Sequence, residues 1–150
     1  TIPWMEFDEI TGMPDGLKEK IGELQFSSIQ IAYIAEHLDV SSHWIYYPDP
    51  NLSYHRILVR HNFCPNSRGY LTETNSERVY MEELNGNFKY LNKYAYPLNT
   101  INKPEIMSEL LTWSKEHNVI GLGRWGEHKH YNSDVTVTRA LDLADKLVMK

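Results

Sequence analysis

Apolar positions along this chain change their period twice. From Asp15 to Leu24, "DGLKEKIGEL" places Leu17, Ile21 and Leu24 at i, i+4 and i+7 among strong helix formers, which predicts a short surface helix. "SSIQIAYIAEHL" then puts Ile29, Ile31, Tyr33 and Ala35 on alternate positions, the period of a half-buried strand. A second strand is expected in the aromatic run "SHWIYYPDP", stopped by Pro48 and Pro50, and its turn leads into "LSYHRILVRHNF". Two further short strands are expected on either side of a polar turn, "TETNS", and another strand after a turn at Asn85-Gly86. Ser27 to Pro97 therefore reads as mostly antiparallel sheet.

The helical period returns at Lys103. Pro104 suits a helix start, Ile106, Leu110 and Trp113 or Leu111 share one face, and Asn118 is a stop. The apolar run "NVIGLG" follows, with "NVI" expected as a strand. In "VTVTRALDLADKLVM", Val137, Ala140, Leu141, Ala144 and Leu147 or Val148 recur at helical spacing, with Asp134 expected as the N-cap and Lys146 near the favourable C-terminal end. Helices flanking a sheet make this an α+β chain.

Composition narrows the partners. At 150 residues, with 41% hydrophobic content, the chain fits a single compact unit, 1–150. A net charge of -5 argues against nucleic acid and anionic membrane, and the absence of a basic, apolar leader or a spanning run gives a cytoplasmic expectation. Cys64 is the only cysteine, expected as a small buried hydrophobe rather than a nucleophile. The start at Thr1 and a helical pattern running almost to Lys150 suggest a piece of something longer.

The chemistry concentrates in "GLGRWGEHKHYNSD", residues 121 to 134, where Gly121, Gly123 and Gly126 spell G-x-G-x-x-G. A dinucleotide fingerprint requires a helix to begin at once with its N-terminus on the pyrophosphate, and here "EHKHYNSD" intervenes. A different anion site remains: Arg124 and the backbone donors of a helix start around Asp134, gathered near one spot. The rival reading makes the glycines a bend and pairs Arg124 with a surface carboxylate. His128 and His130 could instead invite a metal with His55, His61 or Glu127, but no third ligand has a telling spacing, so no metal is expected.

The ordered series "YAYPLNT…NVIGLGRWGEHKHYNSDVTVTRALDLA", with "YHRILVRHNF" and "TIPWMEF" upstream, resembles the C-terminal part of UDP-galactopyranose mutases and related FAD-dependent oxidoreductases of the amine oxidase type. The likeness covers nearly the whole chain. It implies a substrate-binding sheet over about 1–115 and, over about 116–150, a strand, loop and helix that would complete an FAD-binding Rossmann-like domain. It also implies FAD contacts at Gly123, Arg124, Asn132, Ser133, Asp134 and Val135, with the arginine at the pyrophosphate. The family's N-terminal FAD-binding half has no counterpart here, so FAD belongs to the longer parent and this fragment should hold it poorly.

By the same resemblance, the substrate positions are Tyr54, Arg56, Tyr96, Trp125, His130 and Tyr131. Arg56 suits a diphosphate by bidentate hydrogen bonding, against an edge arginine paired with a carboxylate. Tyr96 is a phosphate-binding phenol or a core tyrosine, and Trp125 stacks near the cofactor or simply packs. Where the mutases have tyrosines, this chain has His128 and His130, and Asn132 replaces an aspartate. The implied partners are a small-molecule substrate such as a UDP-sugar, the missing N-terminal half, and a second copy in a homodimer. Flavin amine oxidase chemistry and a non-catalytic domain for an anionic sugar or peptide stand as alternatives.

Overall fold

A computed structural model describes residues 2–75 and 88–149, with the side chains of 8–11 excepted. The elements run α1 (Trp4–Thr11), α2 (Asp15–Gly22), β1 (Phe26–Ile34), β2 (Trp44–Tyr46), β3 (Arg56–Val59), α3 (Arg60–Phe63), β4 (Tyr70–Asn75), β5 (Phe88–Pro97), α4 (Lys103–Glu116), α5 (Gly123–Gly126) and α6 (Ser133–Val148). Five strands form one antiparallel sheet in the order β2-β3-β4-β1-β5, so the α+β expectation holds. By internal packing the chain divides into two units, one of residues 1–26 with 96–150 and the other of residues 27–95.

The first unit is built on helices. Leu17, Ile21 and Leu24, at the spacing read from the sequence, bury against Trp4 and Met13 from the N-terminal segment and Ile106, Met107 and Leu110 of α4. The helix α1, which no periodicity announced, begins after Pro3 and ends at Gly12 in the left-handed region, a conformation glycine adopts without penalty. Asn118 stops α4 as expected: at φ 59 it lets its own amide donate to the Lys115 carbonyl and the Val119 amide to Ser114, the paired bonds of a Schellman cap.

The second unit is the sheet. β4 pairs with β1 from Ile29↔Asn75 to Ile34↔Tyr70, and with β3 from Arg56↔Glu73 to Val59↔Tyr70. Ile29, Ala32, Ile57 and Val59 are buried, and so are the polar Gln30, Thr72, Glu73 and Thr74. The "TETNS" turn is thus a misreading: its first four residues run inside β4, because ladder hydrogen bonds and an arginine partner for Glu73 satisfy what the sequence shows only as polarity. Arg60 and His61 also leave the third strand, which ends at Val59 and turns into α3. The second strand expected beside "TETNS" and the turn at Asn85-Gly86 lie outside the described residues.

Three expectations for the C-terminal segment are corrected. Residues 118–120 form no strand, because the Val119 amide is spent on the cap of α4 and no described segment lies beside them as a ladder partner. The last helix starts one residue before Asp134, so Asn132 is its cap residue and Asp134 sits in the first turn. The predicted apolar stripe of that helix is uncovered: Val137 and Leu141 are 58% and 63% exposed and no residue of α6 is buried. Cys64 is exposed rather than buried.

Candidate functional site

The three glycines serve backbone packing. A Cβ on Gly121 would overlap the carbonyl oxygen of Gly126, and one on Gly126 would come within 2.9 Å of the Gly121 carbonyl carbon. The two backbones therefore touch where only glycine fits. Between them Gly123, at φ 78, opens the single turn α5, and the Gly126 carbonyl accepts from Trp4 Nε1 at 2.8 Å. The motif fastens the 121–126 turn to α1, and no helix begins on it in the manner of a dinucleotide loop.

Glu127 then organises the following turn. Its buried carboxylate accepts from the Gly123 amide at 3.2 Å and from Arg139 of α6, through Nε at 2.7 Å and through a second guanidinium nitrogen. The Gly123 donor is thereby held by an internal anion. Arg124 donates from Nε (3.0 Å) and a second nitrogen (2.6 Å) to the Tyr131 carbonyl, bending 124–131 into a closed loop.

That loop gathers four of the residues singled out in the sequence. The Arg124 guanidinium lies 5.1 Å from the centroid of the Tyr96 ring, and the Tyr96 and His130 rings are 4.7 Å apart. Tyr131 supplies its carbonyl to Arg124 and stacks its ring under Arg139 at 5.4 Å. Asn132, Ser133, Asp134 and Val135 follow at once as the exposed first turn of α6, where no side chain caps the backbone donors. A 16-residue helix with an uncapped first turn carries the partial positive charge that favours an anion.

The two histidines part company. His130 is exposed on Tyr96, whereas His128, at φ 47, is fully buried with its Nε2 3.1 Å from the Gln25 carbonyl and its ring against Trp125 at 5.9 Å. Burial lowers the His128 pKa; the Gln25 hydrogen bond opposes that and the Lys103 charge adds to it. Trp125 therefore packs on a buried imidazole, and no group of three metal-binding side chains forms among the described residues.

Tyr54 and Arg56 belong to the sheet unit. Arg56 donates to Glu73 through Nε at 2.8 Å and through a second nitrogen, and to the Tyr46 hydroxyl at 3.3 Å. Arg56 is thus paired with a carboxylate, as in the rival reading, but on the interior strand β3 and with its side chain only 20% exposed rather than at an exposed edge. Tyr54 packs edge-on against Tyr47 at 5.1 Å.

Sequence reasoning did not single out Lys103 and Lys129. They lie on either side of a cleft beside this loop and are far apart in sequence, so no local pattern links them.

No protein-family model matches the sequence, and no curated protein matches it. Among solved structures, the fold is similar to a crystal structure of reduced UDP-galactopyranose mutase, with a TM-score of 0.65 and 14% identity. The match covers 84% of this chain and 35% of that one, so this chain spans about a third of the other's length. At that identity the likeness is one of fold. No helix among the described residues is long and apolar enough to cross a membrane.

Proposed function

We propose that this chain is the substrate-sheet and C-terminal helix portion of a UDP-galactopyranose mutase-like, FAD-dependent enzyme acting on a nucleotide-sugar or related substrate. The observation that carries the reading is the convergence of Tyr96, Arg124, His130 and Tyr131 directly before the uncapped first turn of α6. The donor set fits a dinucleotide. A guanidinium suits the pyrophosphate, and the backbone donors of Ser133, Asp134 and Val135 suit a polar or anionic group at a helix start. Asn132 would contribute its side chain, while Gly123 acts through backbone shape, its amide being engaged by Glu127.

Bound reduced flavin would supply the nucleophile of mutase chemistry, and bound oxidised flavin the hydride acceptor of oxidase chemistry. The residues of this chain would orient and hold. Tyr96 and His130 would hydrogen-bond a substrate phosphate. Arg56 enters only in competition with Glu73, which already accepts from two of its nitrogens. The uncovered stripe of α6 supports the same reading, because an amphipathic helix leaves its apolar face exposed when its partner surface lies elsewhere.

Titration of the 150-residue chain with FAD, followed by amide chemical shifts, tests the assignment. Binding should be weak, in roughly the millimolar range, with shifts centred on Arg124 and residues 133–135, and Arg124→Ala should abolish them with folding intact. Shifts that ignore Arg124 would remove the cofactor role. In the longer parent, flavin absorbance after purification and furanose formation from UDP-galactopyranose under reducing conditions separate mutase from oxidase chemistry. A colourless parent that cannot be reconstituted would instead favour a binding domain for an anionic sugar or peptide.

A further inference from the structure

A cleft of about 600 Å³ opens between the start of α4 and the 127–130 turn, within the helical unit. That volume is in the range of sites that enclose small organic ligands. On the α4 side Met107 and Leu111 give it an apolar lining, with Lys103 one turn before Met107 on the same helix; Lys129 comes from the turn on the other side. Lys103 is only 9% exposed and its Nζ donates to the neutral Asn99 Oδ1 at 2.6 Å. Lys129 is exposed, with its ammonium 6.0 Å from the Tyr131 ring centroid. Neither lysine is in a salt bridge among the described residues. The carboxylate that does line the cleft, Glu127, is held by Arg139 and the Gly123 amide.

This arrangement is electrostatically unfinished. A largely buried ammonium without a counter-ion is costly, and a second cation across the same cleft adds repulsion. Burial, and after it the Lys129 charge, pull the Lys103 pKa below its usual value, which is what an uncompensated pair should show. A dianion placed between the two lysines would relieve both costs, and the apolar wall would receive whatever that anion carries.

We propose that the cleft is a binding site for a small phosphate monoester with an apolar or aromatic body, the phosphate between Lys103 and Lys129 and the body on Met107 and Leu111. The site shares only His130 with the Tyr96–Arg124 cluster and stands whether or not that cluster holds a flavin.

Phenyl phosphate is the probe, titrated into the full chain by calorimetry and by amide chemical shifts. Binding should weaken with added salt and exceed that of inorganic phosphate, which lacks the apolar body, and of benzoate, which carries one charge fewer. Lys103→Met and Lys129→Met should each weaken it by about tenfold, the loss of one charge-assisted contact. Amide shifts should centre on residues 103–107 and 127–130 and leave residues 133–135 unmoved, which distinguishes this cleft from the cofactor site. If Lys103→Met fails to fold by circular dichroism, Lys129→Met, at an exposed position, decides alone. The proposal is overturned by no binding up to about 10 mM, by benzoate binding as tightly as phenyl phosphate, by full affinity in Lys129→Met, or by shifts centred on residues 133–135.

Discussion

The two units of this chain divide burial differently between apolar and polar side chains. The helical unit gathers a large aliphatic and aromatic cluster, with Ile21 and Leu110 almost wholly inside, and sets Lys103, Ser114, Glu127 and His128 in its interior beside it, Glu127 balanced by Arg139. The sheet unit buries Gln30, Thr72, Glu73 and Thr74 beside Ile29, Ala32, Ile57, Val59 and Ala95, and balances Glu73 with Arg56. The first should lose stability in proportion to volume removed; the second should lose it when a polar partner is taken away.

Leu110→Ala tests the helical side and should have the largest effect. It removes a fully buried side chain at the centre of α4, and a loss of about 3–4 kcal/mol in urea unfolding is expected. A loss below about 1 kcal/mol would mean that this core is loosely packed. On the sheet side, Glu73→Ala removes the carboxylate that balances the Arg56 charge and should cost about 3 kcal/mol. The double replacement Arg56→Met with Glu73→Leu should recover most of that, because a buried pair replaced as a whole is often near neutral. Failure to recover would show that the pair does more than neutralise itself.

The comparison is sharpened by the one buried histidine of the helical unit. The folded-state pKa of His128 is lowered from 6.5, so the unfolded chain binds more protons in the window between the two values. Its contribution is fully present above pH 6.5 and is lost as pH falls through that window. His128→Asn keeps a residue type that tolerates the left-handed backbone at φ 47 and removes the titration. Unfolding measured at neutral and mildly acidic pH should show a smaller acid loss in the variant than in the parent. An equal loss in both would move the acid sensitivity to other groups.

What the sequence disclosed follows the same division. The faces of α2 and α4 were legible because period and caps are local: Leu17, Ile21 and Leu24 on one side, Pro104 and Asn118 at the ends of the other. "TETNS" was misread because the partner that makes Glu73 tolerable inside a sheet lies on another strand. The "NVI" strand failed for a related reason, since an apolar run becomes a strand only beside a second one. In the candidate site, Tyr96, Arg124, His130 and Tyr131 were found by resemblance to a motif order, and the structure brings them together. The roles of Glu127 and Trp4 were hidden, because each engages a backbone group, and Glu127 also the Arg139 side chain on another helix, that no sequence pattern marks.

The hydrogen bond from Trp4 to Gly126 joins residues 122 positions apart, with the whole sheet unit threaded between them. On a ribosome, α1 and α2 emerge before the sheet strands but lack α4, the element that buries their apolar face, until those strands have been made. The sheet has its strand partners much earlier. The expected order of assembly is therefore sheet first and helices last, with Trp4, Leu17 and Ile21 exposed to chaperones or to misassociation for the time it takes to synthesise everything in between.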